Sequence, residues 1–206
     1  QPGPIGPGIT EASQVETVSL PFNDIDLIRK VMSSDNDIAA VILDPQMTMG
    51  GIFPAEQEFL IALRRLTHKH GIVLIFDEVV TGYRIALGGA QEYYGVTPDM
   101  AVIGKALGAG GKFAAIAGTK KIMESIVKEE ERVFHSGTYN DGTVAIAASI
   151  AAIKTYKQLD KEGMYNRMWD KAGELKTNLE TAFKKRDINA YVNYFGPTLK
   201  LFFFDK

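Results

Sequence analysis

An α/β fold built on a mainly parallel sheet is predicted by three features of the 206-residue sequence. Short, continuously apolar runs, AAVIL at 39–43, IVLIF at 72–76 and MAVI at 100–103, have the length and Val/Ile content of buried strands. A segment with helical apolar spacing separates the first two of them. Each run is followed, directly or within two residues, by an ionisable side chain: Asp44, Asp77 and Lys105. The carboxyl ends of parallel strands are where ligands collect in open α/β sheets, so these three residues mark a candidate site.

The elements follow in order. The opening QPGPIGPGIT has collagen-like Gly and Pro content, but the glycine spacing is lost by Glu11, and residues 1–20 are expected to form a loop or lid. Ile25, Ile28, Val31 and Met32 recur at helical spacing, with Asn23 or Asp24 able to cap the start. Residues 38–43 read as a strand. Residues 56–70 carry Phe59, Ala62, Leu63 and Leu66 on one helical face, and Gly71 stops that helix before the next strand at 72–76. After the turn Thr97-Pro98-Asp99 come a third strand at 100–103 and a possible fourth at 113–117. Strands joined by a helical crossover run parallel, and a parallel sheet is expected to be buried on both faces. Beyond Val144 the pattern changes to long helices at 144–159 and 164–185, then two strand-like runs, the second at 199–204. A domain change near Asp160 is expected, which divides the chain into a loop or lid at 1–20, a large α/β domain at 21–159 and the start of a smaller α+β domain at 160–206.

Composition narrows the classes of partner. With 46% apolar and 23% charged residues the chain is globular, and a net charge of −2 offers no basic surplus for nucleic acid or an anionic membrane. The absence of cysteine excludes disulfides and thiolate metal sites and suits a reducing compartment, so the cytoplasm is the expected location. No secretory leader and no membrane-length apolar run is expected. Small molecules are therefore the expected partners.

The site residues have generic readings as well as functional ones. An acid after a buried strand, as in LIFDEV, can cap the following turn, or hold magnesium as in a Walker B strand. The ATPase reading also needs a phosphate loop; GKALGAGGKF has neither the G-x-x-x-x-G-K-[ST] spacing nor a hydroxyl after Lys112, and G-x-G-x-x-G fails too. Lys105 sits between Gly104 and Ala106, beside Gly108-Ala109-Gly110-Gly111. Small apolar neighbours are expected to desolvate it, lowering its pKa and freeing its amine to attack an aldehyde. Arg84 offers a guanidinium that fits a carboxylate bidentately, or an ordinary salt bridge. His68 and His70 read as helix-end residues rather than metal ligands, and Tyr93 and Tyr94 as packing residues.

Residues 76–111, FDEVVTGYRIALGGAQEYYGVTPDMAVIGKALGAGG, resemble the core signature of the class III pyridoxal-phosphate (PLP) aminotransferases, and within that family the glutamate-1-semialdehyde 2,1-aminomutases. The shared pattern combines D-E-V, T-G-[FY]-R, L-G-G-A-Q-x-Y-[FY]-G-V-x-P-D and a G-K lysine 28 positions after the aspartate. LPFND at 20–24, AAVILDP and HSGTYN at 135–140 extend it over almost the whole chain. The resemblance implies PLP-dependent transferase fold type I and PLP as cofactor, with Lys105 as the Schiff-base lysine that also shuttles the α-proton. It further implies Asp77 as partner of the pyridine nitrogen, Val79 against the ring face, and Thr138 as a donor to the phosphate from the neighbouring subunit, hence a homodimer. His135, beside that S-G-T motif, is a candidate for lining the substrate site. The implied activity is amino-group transfer on an amino acid or amine, either the aminomutase reaction that forms 5-aminolevulinate or a transamination.

The sequence departs from the family pattern at Leu43-Asp44-Pro45, where relatives read V-E-P, at Gly108-Ala109-Gly110-Gly111-Lys112, where a proline is lost, and at Asp141-Gly142-Thr143, where G-N-P is common. It also lacks the phosphate loop and ring-stacking aromatic that precede this region in full-length members. The chain is therefore expected to be a part of such an enzyme, and a silent homologue that keeps the sheet without turnover is the competing expectation.

Overall fold

The computed structural model describes residues 8, 10, 16–34, 37–128, 132–138 and 140–205, so most of the loop expected over residues 1–20 lies outside the described residues. Four strands form the central sheet in the order β1 (Ala40–Leu43), β4 (Val73–Glu78), β5 (Met100–Ile103), β6 (Ala115–Gly118). β1 pairs with β4 and β4 with β5 in parallel, in the register Leu43↔Phe76↔Ala101.

Local chemistry explains the connections. Helix α1 (Ile25–Ser34) is capped by Asp24, whose Oδ1 accepts the Leu27 N–H at 2.9 Å. Helix α2 (Gln57–His70) ends at Gly71, where a left-handed φ of 69° lets the Gly71 and Ile72 amides reach back to the carbonyls of His68 and Thr67. Both helices and the short α3 (Gly89–Tyr94) cover one face of the sheet. The core joins Ile28 and Met32 of α1, Phe59, Leu60 and Leu63 of α2, Leu74 and Phe76 of β4, and Ala90 and Tyr94 of α3.

β6, expected only as a possible fourth strand with no direction given, runs antiparallel to β5, because only residues 104–114 join them and no helix crosses over. Two expectations are corrected. β4 extends two residues beyond the apolar run, so Asp77 and Glu78 close the strand instead of following it. Within this chain the sheet is not buried on both faces: Ile42 and Ile116 are 63% and 44% exposed. The helices of residues 25–94 all lie on the side of Leu74 and Phe76, and strand alternation sends Ile42 and Asp77 the other way. A two-residue ribbon, β2 (Gln46–Met47) with β3 (Phe53–Pro54), was not foreseen either.

After a short helical stretch, α4 (Lys120–Met123), come the long helices α5 (Thr143–Lys161) and α6 (Met164–Lys185) and a hairpin of β7 (Ala190–Phe195) and β8 (Thr198–Phe203). The hairpin fastens to the ribbon: Asn193 Nδ2 donates to the carbonyls of Gly51 and Ile52, and Gln46 Nε2 donates to Thr198 Oγ1. Trp169 stacks on Tyr93 at 5.2 Å, meets Phe195 edge-on at 5.1 Å and donates its indole N–H to the Ile85 carbonyl. Tyr93 and Tyr94 are thus packing residues, as expected from sequence.

Candidate active site

The strand order places Asp44, Asp77 and Lys105 at the carboxyl ends of three neighbouring parallel strands. Asp44 is occupied locally. Its Oδ1 accepts the Gln46 N–H at 3.1 Å and its Oδ2 the Thr48 N–H at 3.0 Å, which fixes the turn into β2. Burial pushes its carboxyl above the usual carboxylate range; those two N–H groups oppose the rise, and the nearby Asp77 charge adds a smaller push.

Asp77 and Glu78 are adjacent, yet alternation sends them to opposite faces. Asp77 Oδ1 accepts the Val79 N–H at 3.0 Å, while Oδ2 has no donor among the described residues. Glu78 is 1% exposed and saturated. Its carboxylate accepts from Thr81 Oγ1 (2.9 Å), the Ala90 N–H (2.6 Å), and the Gln91 N–H and Nε2 (3.3 and 3.0 Å). Gly89, at φ 67°, makes room for it: a Cβ there would lie 2.1 Å from Glu78 Oε2. Glu78 therefore anchors the TGYR loop to the start of α3. The string LIFDEV contains the residue without revealing this role; the signal is parity, since the second acid of a strand-end D-E pair must face the helices when the first does not.

Val79 reaches the next strand. A Cβ built on Gly104 would sit 3.5 Å from Val79 Cγ1, so the Asp77-Glu78-Val79 segment packs against the backbone that leads into Lys105. Lys105 leaves β5 in a left-handed conformation (φ 46°) and opens a 3-10 turn, Lys105–Gly108, closed by the Leu107 amide on the Gly104 carbonyl. The lysine is exposed, which corrects the expectation that its small neighbours desolvate it. Glycine and alanine have too little side chain to cover a lysine that has left the strand for a turn.

The remaining candidates lie apart from this cluster. Arg84 is half-buried, and its Nη1 donates to the Val80 carbonyl within its own loop. Thr138 is exposed, and His135, also exposed, meets Asn140 Nδ2 at 3.5 Å. No hydrogen bond or ion pair joins any of the three to Asp77 or Lys105 among the described residues. A cleft of about 410 Å³, lined by residues including Glu78, Tyr83, Gln91 and Glu92, includes none of Asp77, Val79 or Lys105. Glu78, saturated by its four hydrogen bonds, has no free acceptor to offer that cleft. Among the described residues no helix is long and apolar enough to cross a membrane. No group of three His, Asp or Glu side chains is arranged to hold a metal ion there.

The fold and sequence both have known counterparts. The family model for "Aminotransferase class-III" matches residues 3–197. A glutamate-1-semialdehyde 2,1-aminomutase of Fusobacterium nucleatum is 38% identical over 96% of this chain and 45% of its own length, and one of Methanococcus maripaludis is 39% identical over 98% and 47%. The chain thus spans about half the length of the curated relatives it matches. Among solved structures, an omega-transaminase from Sphaerobacter thermophilus superposes with a TM-score of 0.85 at 31% identity, covering 98% of this chain and 46% of that one. A glutamate-1-semialdehyde-aminomutase from Pseudomonas aeruginosa gives 0.68 at 25%, covering 88% and 41%. On the family match and the shared fold, this chain belongs to the class III aminotransferases.

Proposed function

We propose that the chain is the cofactor-anchoring part of a PLP-dependent enzyme that moves an amino group, with glutamate-1-semialdehyde 2,1-aminomutation as its reaction. The observation that carries this reading is the pairing, at adjacent strand ends, of a carboxylate oxygen with no donor among the described residues, Asp77 Oδ2, and the exposed amine-bearing residue Lys105. Those residues fit the cofactor. A pyridine N–H is the kind of donor Asp77 Oδ2 lacks, Val79 offers an apolar surface beside it, and Lys105 supplies the amine an aldehyde needs.

When bound, PLP supplies an aldehyde that takes the amino group and a ring that draws electron density from the reacting carbon. The residues do the rest. Lys105 would hold the cofactor through its amine, and its Nζ would carry the α-proton. Asp77 keeps the pyridine nitrogen protonated by a charge-assisted hydrogen bond. Val79 packs on the ring face and excludes water from it. Thr138 donates to the phosphate of the cofactor in a neighbouring subunit, which makes the enzyme a homodimer, and Arg84 and His135 orient the substrate. The large domain ends near Asp160, and residues 160–206 begin the small one; the turn at Glu162-Gly163 beside that point supports this division. A cysteine-free chain suits the cytoplasm.

Transamination of another amino acid or amine is the second reading, favoured by the TM-score of 0.85 with an omega-transaminase. The test is to load the protein with pyridoxamine 5'-phosphate, which carries the amino group that the aminomutase reaction needs, offer glutamate-1-semialdehyde with no other amino donor or acceptor and measure 5-aminolevulinate, and in a parallel assay offer amine and keto-acid pairs. Formation of 5-aminolevulinate is expected. Exchange between amines and keto acids without any 5-aminolevulinate would replace the first reading with the second.

A further inference from the structure

A non-glycine residue persists in the left-handed region only where its surroundings over-determine it, and Lys105 at φ 46° is such a residue. The turn it opens is held from outside the sheet. Helix α5 packs on Lys105–Gly108, and its buried residues Ser149 and Ala152 lie at the helical spacing that continues to Tyr156. Tyr156, half-buried, donates its hydroxyl to the Ala106 carbonyl at 3.0 Å, the only side-chain hydrogen bond into residues 104–109 among the described residues. That carbonyl also accepts the Ala109 amide that closes the turn.

The same ring reaches the second segment. Its centroid lies 5.7 Å from that of Tyr83 in the TGYR loop. Tyr83 is itself left-handed at φ 56°, and its carbonyl accepts the Tyr165 hydroxyl of α6 at 3.2 Å. Two backbone segments in sparsely populated conformations, one carrying Lys105 and the other Arg84, therefore share one tyrosine.

We propose that Tyr156 is a positioning residue for Lys105: its hydroxyl holds the turn that presents the lysine amine, and its ring ties that turn to the TGYR loop. The proposal rests on the reading of Lys105 as the cofactor lysine. Nothing in the sequence around residue 156 identifies it, because the contact is made across a separation of fifty residues.

The test is Tyr156→Phe in the full chain, which keeps the ring against Tyr83 and removes one hydroxyl. Two readouts are taken well below the melting temperature: hydrogen exchange of the Leu107 and Ala109 amides, and the fraction of added PLP that borohydride fixes on Lys105 relative to the other lysines. A hydrogen bond of this kind is worth about 2- to 12-fold in an equilibrium constant. Exchange of the two amides is expected to quicken by about that factor, and PLP binding at Lys105 to weaken by the same factor, with exchange in β4 unchanged. Wild-type labelling of Lys105 together with unaltered exchange and labelling in the variant would overturn the role of Tyr156. Faster exchange in the variant with no labelling of Lys105 in the wild type would instead overturn the cofactor reading, and the proposal with it.

Discussion

Replacing Glu78 with glutamine should destabilise the protein out of proportion to a change of one atom. The carboxylate is buried and accepts four hydrogen bonds from three residues of the loop and helix that follow it. An amide keeps one oxygen. Its NH2 must then face either the Ala90 amide or the Gln91 amide, and neither backbone N–H can turn to accept. A lost charge-assisted hydrogen bond costs about 1.5–3 kcal/mol, and a buried donor left without an acceptor about 1–3 more. The expected total is about 2.5–6 kcal/mol, which at roughly 2–4 °C per kcal/mol lowers the melting temperature by about 5–24 °C. Thermal unfolding followed by circular dichroism at neutral pH measures it. Gly89→Ala attacks the same anchor from the other side, since its Cβ would stand 2.1 Å from Glu78 Oε2 at a φ of 67°, and it should cost at least as much. A drop of less than about 2 °C in both variants would refute the assignment of Glu78 as the anchor of the TGYR loop.

Four further outcomes are expected. Asp77→Asn keeps an oxygen for the Val79 amide and so leaves the melting temperature within about 2 °C, but removes the charge, weakening PLP binding about 10- to 150-fold in a fluorescence titration. Lys105→Ala, at an exposed position, changes the melting temperature by no more than about 2 °C while abolishing the borohydride-stable adduct. At Asp99 burial pushes the carboxyl up, but the Leu74 N–H and the Arg64 guanidinium at 2.7 Å outweigh it and leave the group below its ordinary value. Its stabilising contribution is therefore complete above the unfolded value of about 3.9 and lost as pH falls through the lower folded value, so the acid limb of a melting-temperature profile should flatten in Asp99→Asn. Trp169→Phe loses the hydrogen bond to the Ile85 carbonyl and part of the stack on Tyr93, and should cost about 1–3 kcal/mol in denaturant unfolding.

Much of this was legible in the sequence, and the reason is local. Strands β1, β4 and β5 announce themselves because a strand between helical crossovers is apolar without interruption, and α2 because Gly71 and the spacing of Phe59, Leu63 and Leu66 mark its end and its face. The carboxyl-end positions of Asp44, Asp77 and Lys105 follow from that order alone. What escaped depends on contacts between distant residues. The direction of β6 is set by the absence of a crossover helix after a glycine-rich stretch that reads equally well as a loop. The exposure of Lys105 depends on what stands over the open face, which small neighbours in sequence do not reveal. The division of labour between Asp77 and Glu78 rests on Gly89 and the Ala90 amide, more than ten residues on. Tyr156 shows the same limit, since its partner is a backbone carbonyl, and any residue carries one.

The proposed function stands or falls with Lys105 as the amine that holds PLP. Borohydride reduction of the protein incubated with PLP, followed by peptide mapping of the modified lysine, tests it most directly. One dominant reduced adduct is expected, on the peptide containing Lys105, and it is lost in Lys105→Ala. Labelling spread over the surface lysines, or unchanged in Lys105→Ala, would contradict it.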